Sequence, residues 1–357
     1  MIHGENASNH GGNVWAGGAP SEWLDYSANI RPGGPPEWVR AALLRAMDNV
    51  PYYPQLSMER SRDALGRFLG LPSGAVLPTA GGIAAISLAA GLKVDRVRIP
   101  APAFLEYSQL SERNGLEVEL RPLLSDDHRV LRPAEALGRD LRENTCLWLC
   151  NPSNPVGAGF APEEIAELLA IAEERSSVLV VDEAFIDYCP ENTVKDLLAA
   201  HPRLLITGSM TKILGIPGVR LGYAAGFGLL DSLAARQDPW NLNCFAESVL
   251  LDLPDHAGDI AEECARNRVR RESFRAGLEA LGIYVYPSSA NFFLCDFGRT
   301  VRPIEDKLKE RRILVRRCMN FPGVDDGRHL RLAVKDERSN GIFLKNLEEA
   351  MQCAENH

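Results

Sequence analysis

The feature that most constrains the fold is an alternation of short apolar strands with helical segments between about residues 55 and 230. Four short runs are rich in strand-forming residues, at 96–99, 145–150, 178–181 and 204–207. Around and between them lie helical patterns, at 58–69, 82–92 and 162–175. Such an alternation is typical of a mostly parallel sheet sandwiched by helices, because parallel strands need crossover connections and are buried on both faces. The sequence therefore predicts an α/β fold.

The rest of the chain predicts a second, smaller unit. Residues 1–45 are rich in glycine and proline, and we expect this segment to pack with the small lobe. Residues 46–260 are expected to form the large domain. A charged helical stretch at about 257–281 precedes further β-rich runs, which predict a small α+β domain over residues 261–357.

Charge and composition exclude several classes of protein. The 357 residues are 45% hydrophobic and 24% charged, as in ordinary globular chains rather than disordered ones. A net charge of −9 argues against binding to nucleic acid or to an anionic membrane. No apolar run reaches the ~20 residues of a membrane helix, and the amino terminus has no signal pattern. None of the eight cysteines forms a CxxC pair, so we expect buried free thiols and a cytoplasmic protein.

Ligands of open parallel sheets bind beyond the carboxyl ends of the strands, so polar residues that follow the predicted strands are candidate site residues. Asp182 closes the run 178–181. A buried carboxylate there could pair with a protonated heteroaromatic nitrogen, cap a helix or bind a metal. Asn154 lies between two prolines just after the run 145–150, either as a hydrogen-bond donor to a phenolate oxygen or in a plain turn.

Two further motifs suggest a lysine nucleophile and a phosphate site. Lys212 follows the run 204–207, and a desolvated lysine can form a Schiff base. Ser209 and Arg220 could bind a phosphate beside it. Alternatively, Lys212 is a surface lysine and Arg220 a structural arginine. Gly81 and Gly82 open the helix at 82–92, where backbone N–H groups can approach an anion, or form an ordinary loop.

In this order along the chain, the four motifs resemble the fold-type-I family of pyridoxal-phosphate enzymes. The resemblance implies that Lys212 carries the cofactor, Asp182 pairs with its pyridinium and Asn154 bonds its phenolic oxygen. It implies a phosphate cup made of Gly81, Gly82, Ser209 and Arg220. Tyr107, in the segment PAFLEY at 102–107, is similar to the ring that stacks on the pyridine, or is an ordinary core aromatic. Tyr53 is similar to a tyrosine that reaches the neighbouring subunit's phosphate, which implies a homodimer with shared sites.

Within that family, the chain most resembles the threonine-phosphate decarboxylases of the cobalamin pathway, which are relatives of the histidinol-phosphate aminotransferases. The motifs are HGGN at 10–13, DYSANIRP at 25–32, DEAFIDY at 182–188, Pro-Trp at 239–240 and VRRC at 315–318 followed by FPG at 321–323. Phe185 stands where the aminotransferases carry a tyrosine. Two departures are Arg31, where the family has asparagine, and TAGGIA at 79–84, which lacks the family's acidic and hydroxyl groups.

The resemblance implies decarboxylation of L-threonine O-3-phosphate to (R)-1-amino-2-propanol O-2-phosphate, with O-phosphoserine left open as a second substrate. Arg331 is similar to the arginine that clamps the substrate carboxylate, unless it is structural. Arg31 and Arg316 are candidates for binding the substrate phosphate, and His10 and Asn29 for lining the same pocket. No metal is expected. The alternative is an aminotransferase of the histidinol-phosphate type, because both reactions use nearly the same residues.

Overall fold

The computed structural model describes residues 10–355, in which strands and helices alternate along most of the chain. The strands are β1 (Leu24–Asp25), β2 (Val76–Thr79), β3 (Arg96–Ala101), β4 (Glu117–Pro122), β5 (Thr145–Cys150), β6 (Val178–Asp182), β7 (Leu204–Ser209), β8 (Gly222–Ala225), β9 (Tyr284–Val285), β10 (Phe292–Asp296), β11 (Ile313–Leu314), β12 (Arg316–Arg317) and β13 (His329–Ala333). The helices are α1 (Glu37–Ala46), α2 (Glu59–Leu69), α3 (Gly82–Ala90), α4 (Glu106–Arg113), α5 (Pro162–Glu174), α6 (Leu230–Ala234), α7 (Cys244–Asp252), α8 (Ala257–Ala280), α9 (Arg302–Glu310) and α10 (Glu337–Glu355).

A seven-stranded sheet forms the centre of the larger part of the molecule. Its strand order is β2-β8-β7-β6-β5-β3-β4, and only β8 runs antiparallel to its neighbours. Side chains alternate between the two faces of the sheet. Trp148 and Val180 pack into one buried cluster, and Leu149 and Val181 pack into another. This architecture confirms the predicted mostly parallel α/β fold.

A second, antiparallel sheet lies in the carboxyl-terminal part, with the order β12-β13-β10-β9. The amino-terminal segment joins this region, because β1 pairs in parallel with β11 and the buried ring of Tyr26 stacks on Phe343. Helix α1 packs instead against α7. The domain boundaries after residues 45 and 260 stay predictions.

The cysteines agree with the expectation of free thiols. All eight cysteines are free thiols, and six of them are buried. Within residues 10–355, no helix combines the length and apolar character that crossing a membrane requires.

Candidate active site

The polar residues that follow β5, β6 and β7 converge on one cavity of about 250 Å³. It lies at the carboxyl ends of these parallel strands, where ligands of such sheets bind. The amino-terminal segment and the second sheet complete its walls. Ten of the residues predicted for the site line it: His10, Asn29, Gly82, Asn154, Asp182, Ser209, Lys212, Arg220, Arg316 and Arg331.

Lys212 is held in the cavity as a weakly basic amine. Burial, together with the positive charges of Arg331 and Arg220, lowers the pKa of its ammonium group to about 8, whereas Asp182 opposes the shift. Its Nζ atom lies 5.9 Å from the ring centroid of Phe185. A substantial fraction of this lysine is therefore neutral near pH 8, as a nucleophile or proton acceptor must be.

Asp182, the last residue of β6, has its carboxylate fixed by three donors. The hydroxyl of Tyr107 donates to Oδ2 at 2.5 Å, and the hydroxyl of Thr207 and the backbone N–H of Ala184 donate to Oδ1 at 3.3 and 3.2 Å. Burial raises the pKa of Asp182, while these hydrogen bonds favour the carboxylate and lower it. An ionised carboxylate at this position suits a cationic ring nitrogen.

Tyr107 does not lie where a ring that stacks on a ligand in the cavity was expected. Its ring is buried beneath the cavity, 4.8 Å from that of Trp148 at an interplanar angle of 11°, and is not among the residues that line the cavity. Phe104 lines the cavity instead. Because α4 begins at Glu106, Tyr107 lies in its first turn and is directed inward, whereas Phe104 precedes the helix. The hydroxyl of Tyr107 therefore positions Asp182, and the role of its ring in stacking on a cofactor stays a prediction.

Glycines leave room for an anion at the start of α3. Gly81 has a φ of +82°, and a Cβ atom built there would lie 2.6 Å from Nη2 of Arg220. A Cβ atom at Gly82 would lie 3.1 Å from that of Ser209. Ser209 in turn shares a 2.8 Å hydrogen bond with the hydroxyl of Thr211. Helix amides, hydroxyls and a guanidinium form a cradle that a side chain would fill and that fits a phosphate group.

Arg331 and Asn154 form a hydrogen-bonded pair on the opposite wall. Nη1 of Arg331 donates to Oδ1 of Asn154 at 2.6 Å, and Nη2 donates to the carbonyl oxygen of Ser27 at 2.8 Å. Burial lowers the pKa of Arg331 to about 10, and the nearby charge of Arg316 contributes. Because Oδ1 of Asn154 accepts the bond from Arg331, its Nδ2 group is the amide atom left for a ligand.

Arg316 and the amino-terminal segment form the remaining wall. Nη2 of Arg316 donates to Oδ1 of Asn320 at 2.5 Å, and its guanidinium lies 5.2 Å from the ring centroid of Phe321. Nε2 of His10 lies 2.9 Å from a carboxylate oxygen of Glu106. Asn29 is buried, and its Oδ1 atom has no hydrogen-bond partner within residues 10–355.

The structure places Arg31 outside the cavity, contrary to the prediction that it binds the substrate phosphate. Nη2 of Arg31 lies 3.3 Å from the buried carboxylate of Glu263, and Nη1 donates to the carbonyl oxygen of Ile213. Its backbone N–H also donates to the carbonyl oxygen of Lys212 at 3.2 Å. The guanidinium points toward Glu263 because a buried carboxylate requires cationic partners. Arg31 therefore supports the lysine loop from behind.

Tyr53 lies away from this cavity. Its side chain is 81% exposed, and its ring lies 4.8 Å from that of Trp240. Its role toward a neighbouring subunit stays a prediction.

Several residues that the sequence left unassigned also line the cavity: Gly11, Ser27, Ala28, Phe104, Thr211 and Asn320. Gly11, Ala28 and Thr211 are direct neighbours of a predicted site residue in the chain, and Ser27 lies two positions from Asn29. Adjacency within the motifs at 10–13, 25–32 and 209–212 was therefore the signal that could have identified them.

The cavity combines a lysine of lowered pKa, a hydrogen-bonded aspartate and a phosphate cradle at the end of a parallel sheet. This combination is typical of the fold-type-I pyridoxal-phosphate enzymes. The family model described as aminotransferase class I and II matches residues 21–347. The chain belongs to this family, and its membership confirms the predicted cofactor, pyridoxal phosphate.

Relatives within the family carry out two reactions. The chain is 33% identical to the threonine-phosphate decarboxylase of Salmonella typhimurium, over 96% of this chain and 97% of that protein. It is 32% identical to the histidinol-phosphate aminotransferase of Symbiobacterium thermophilum, over 92% and 90%. The crystal structure of the histidinol-phosphate aminotransferase from Clostridium acetobutylicum superposes with a TM-score of 0.82 at 27% identity, over 91% of this chain and 98% of that one.

Proposed function

We propose that this protein decarboxylates L-threonine O-3-phosphate to (R)-1-amino-2-propanol O-2-phosphate, a step of cobalamin biosynthesis. The observation that carries the proposal is the pair of arginines in the second sheet. Arg316 and Arg331 are register partners on β12 and β13, both are only 7% exposed, and both line the cavity. Like charges directly opposite each other in a sheet are destabilising. Two buried arginines opposite each other therefore suit a substrate that brings two anionic groups.

L-threonine O-3-phosphate has such a pair of groups, an α-carboxylate and a phosphate. Arg331, held by Asn154, is the proposed partner of the carboxylate, in a bidentate arrangement. Arg316 is the proposed partner of the phosphate, with His10 and Asn29 beside it. The two ends of the substrate would then fix the orientation of its α-carbon.

The described residues supply the remaining requirements of the reaction. Pyridoxal phosphate, when bound, supplies an electron sink for the electron pair of the broken bond between the α-carbon and the carboxylate. Asp182, kept ionised by Tyr107, holds the ring nitrogen protonated. Lys212, with its lowered pKa, is positioned to return a proton from Nζ to the α-carbon after carbon dioxide leaves.

Phe185 favours decarboxylation over the alternative, an aminotransferase of the histidinol-phosphate type. Its buried side chain lines the cavity and packs edge-on against Phe292, with ring centroids 5.0 Å apart. A phenyl ring cannot donate the hydrogen bond that a tyrosine would give to the cofactor's phenolic oxygen.

The test is incubation of the purified holoenzyme with O-phosphothreonine, followed by quantification of carbon dioxide and of the phosphorylated amine. We expect release of both without any 2-oxo acid. Amino transfer that requires 2-oxoglutarate, without carbon dioxide, would contradict the proposal. O-phosphoserine lacks one methyl group, which is worth about 1–3 kcal/mol of discrimination, so a parallel assay decides the preference.

A matched pair of variants tests the role of Arg316. Arg316→Gln should lower kcat/KM for O-phosphothreonine about 10- to 150-fold, because one charge-assisted interaction contributes about 1.5–3 kcal/mol. Arg317→Gln is the control, because the neighbouring Arg317 pairs with Glu305 at 3.3 Å and does not line the cavity. Equal effects of the two substitutions would remove Arg316 from the substrate site.

We also propose a homodimer in which Tyr53 reaches the partner's cofactor phosphate, and a cytoplasmic location. The exposed ring of Tyr53 and the free thiols support these proposals. Light scattering tests the dimer. In a dimeric holoenzyme, Tyr53→Phe should weaken cofactor binding, and a monomer with full cofactor affinity would contradict the proposal.

A further inference from the structure

A second cavity lies on the other face of the seven-stranded sheet. Its volume is about 320 Å³, within the range of small-molecule sites, about 300–1,000 Å³. Asp182 faces the active site, and the next residue, Glu183, lines this second cavity. The end of α2, the start of α8 and residues of β7 and β8 supply its walls. Those walls are mainly apolar, with side chains such as Phe68, Leu71, Ile186, Ile206 and Ile260.

Two polar groups in this cavity have no side-chain partner. The side chain of Asp187 makes no ion pair with, and receives no side-chain hydrogen bond from, any other residue in the range 10–355. Tyr223 is only 2% exposed, yet its hydroxyl also lacks a hydrogen bond in this part of the chain. The phenol ring lies against Gly208, where a Cβ atom would come within 2.2 Å of Cζ. Asp187 is half-buried and its carboxylate accepts a hydrogen bond from its own backbone N–H, whereas buried polar groups are normally paired. The unpaired hydroxyl of Tyr223 therefore points to a ligand, and Asp187 is close enough to act on it electrostatically.

The charges around the cavity define the ligand's sign. Glu183 is satisfied, since its carboxylate accepts hydrogen bonds from the Thr193 hydroxyl at 3.0 Å and from the Val194 N–H at 2.8 Å. Nζ of Lys195 is also engaged, by the carbonyl oxygen of Leu69 at 3.0 Å. Burial raises the pKa of both Glu183 and Asp187 to about 7, so above neutral pH two carboxylates and one ammonium leave a negative balance. Asp187 is the carboxylate available to a ligand.

We propose that this cavity binds a small organic cation, with an apolar body against the aliphatic walls and one ammonium N–H donated to Asp187. Tyr223 supplies a second polar contact, because a phenol hydroxyl both donates and accepts. Burial raises the pKa of Asp187 to about 7. A bound cation favours the carboxylate and so offsets the cost of burying it. The site is separate from the proposed reaction and does not depend on it.

The test uses the holoenzyme and N,N-dimethylbenzylammonium, a tertiary amine that cannot condense with the cofactor's aldehyde. Isothermal titration calorimetry should show one site per chain, while the absorbance of the bound cofactor stays unchanged. Benzyl methyl ether, a neutral compound of similar shape, should bind at least about tenfold more weakly, because it lacks the charge-assisted hydrogen bond.

Three variants locate the binding. Asp187→Asn should weaken it at least about tenfold, and Tyr223→Phe should weaken it by less, about two- to tenfold. Asp196→Asn is the control, because Asp196 is exposed and does not line the cavity. Lack of saturable binding to the wild type, equal binding of the ether, or full affinity in folded Asp187→Asn would each overturn the proposal.

Discussion

Replacing Tyr107 by phenylalanine should change how the stability of the cofactor-free protein depends on pH. The substitution keeps the ring against Trp148 and removes only the hydroxyl that donates to Asp182 at 2.5 Å. A hydrogen bond to a buried charged group contributes about 1.5–3 kcal/mol. At 1.36 kcal/mol per pKa unit, its loss should raise the pKa of Asp182 by about one to two units.

The sign of the effect follows from proton linkage. Burial already raises the pKa of Asp182 above that of the unfolded chain, so the folded protein binds the proton more tightly. The contribution of Asp182 to stability is therefore fully present below its pKa in the unfolded chain. It is lost as pH rises through its pKa in the folded protein. In Tyr107→Phe this loss continues to higher pH. The free energy of unfolding of the variant should therefore be about 1.5–3 kcal/mol below that of the wild type at pH 8, and the difference should be clearly smaller at pH 5.

Urea unfolding of the apoprotein at pH 5 and pH 8 measures both differences. Tyr223→Phe is the control, because it removes a buried hydroxyl that has no hydrogen-bond partner within residues 10–355. Its effect should be small. An equal loss of stability at both pH values in Tyr107→Phe would refute the idea that this hydroxyl acts on the charge of Asp182.

Three further outcomes are expected. Gly81→Ala should weaken cofactor binding at least about tenfold in a cofactor titration, because the new Cβ atom would lie 2.6 Å from Nη2 of Arg220 and alanine is strained at a φ of +82°. Unchanged affinity would argue against the phosphate cradle. The rate of cofactor attachment to the apoprotein should rise with pH and level off above about 8, the pKa of Lys212; a rise that continues past pH 10 would show an ordinary lysine. Arg31→Gln should lower the free energy of unfolding by about 1.5–3 kcal/mol, because it removes one charged partner of the buried Glu263, which keeps Arg266 and Arg270. KM for O-phosphothreonine should stay nearly unchanged, and a large rise in KM would restore Arg31 to the substrate site.

The sequence predicted the central strands well for a physical reason. Runs such as 145–150 and 178–181 are apolar because both faces of the sheet are covered, and the observed strands keep those bounds within one residue. β4 was not predicted, because this edge strand carries charged residues, and β8 was too short and rich in glycine and alanine. Helix α4 was also not predicted, because most of its residues are polar.

The site was predictable where chemistry is attached to a strand end, and not where a distant partner decides a side chain's direction. Lys212 and Asp182 follow strands whose ends meet at one edge, so their convergence follows from the fold. Arg31 turns toward Glu263, which lies 232 positions away in the chain. No local pattern contains that information, and the same is true of the stacking of Tyr107 on Trp148, 41 positions apart.

The pairing of β1 with β11 has a consequence for the order of assembly. The backbone N–H of Leu24 donates to the carbonyl oxygen of Arg312, and that of Ala333 donates to Tyr26. The residues just after Tyr26 form part of the cavity wall. This wall therefore depends on contacts with residues that lie about 290 positions or more later in the chain. Contacts so far apart close slowly. On a ribosome, the large sheet can gather its strands early, whereas the substrate cavity can close only once residue 333 has emerged.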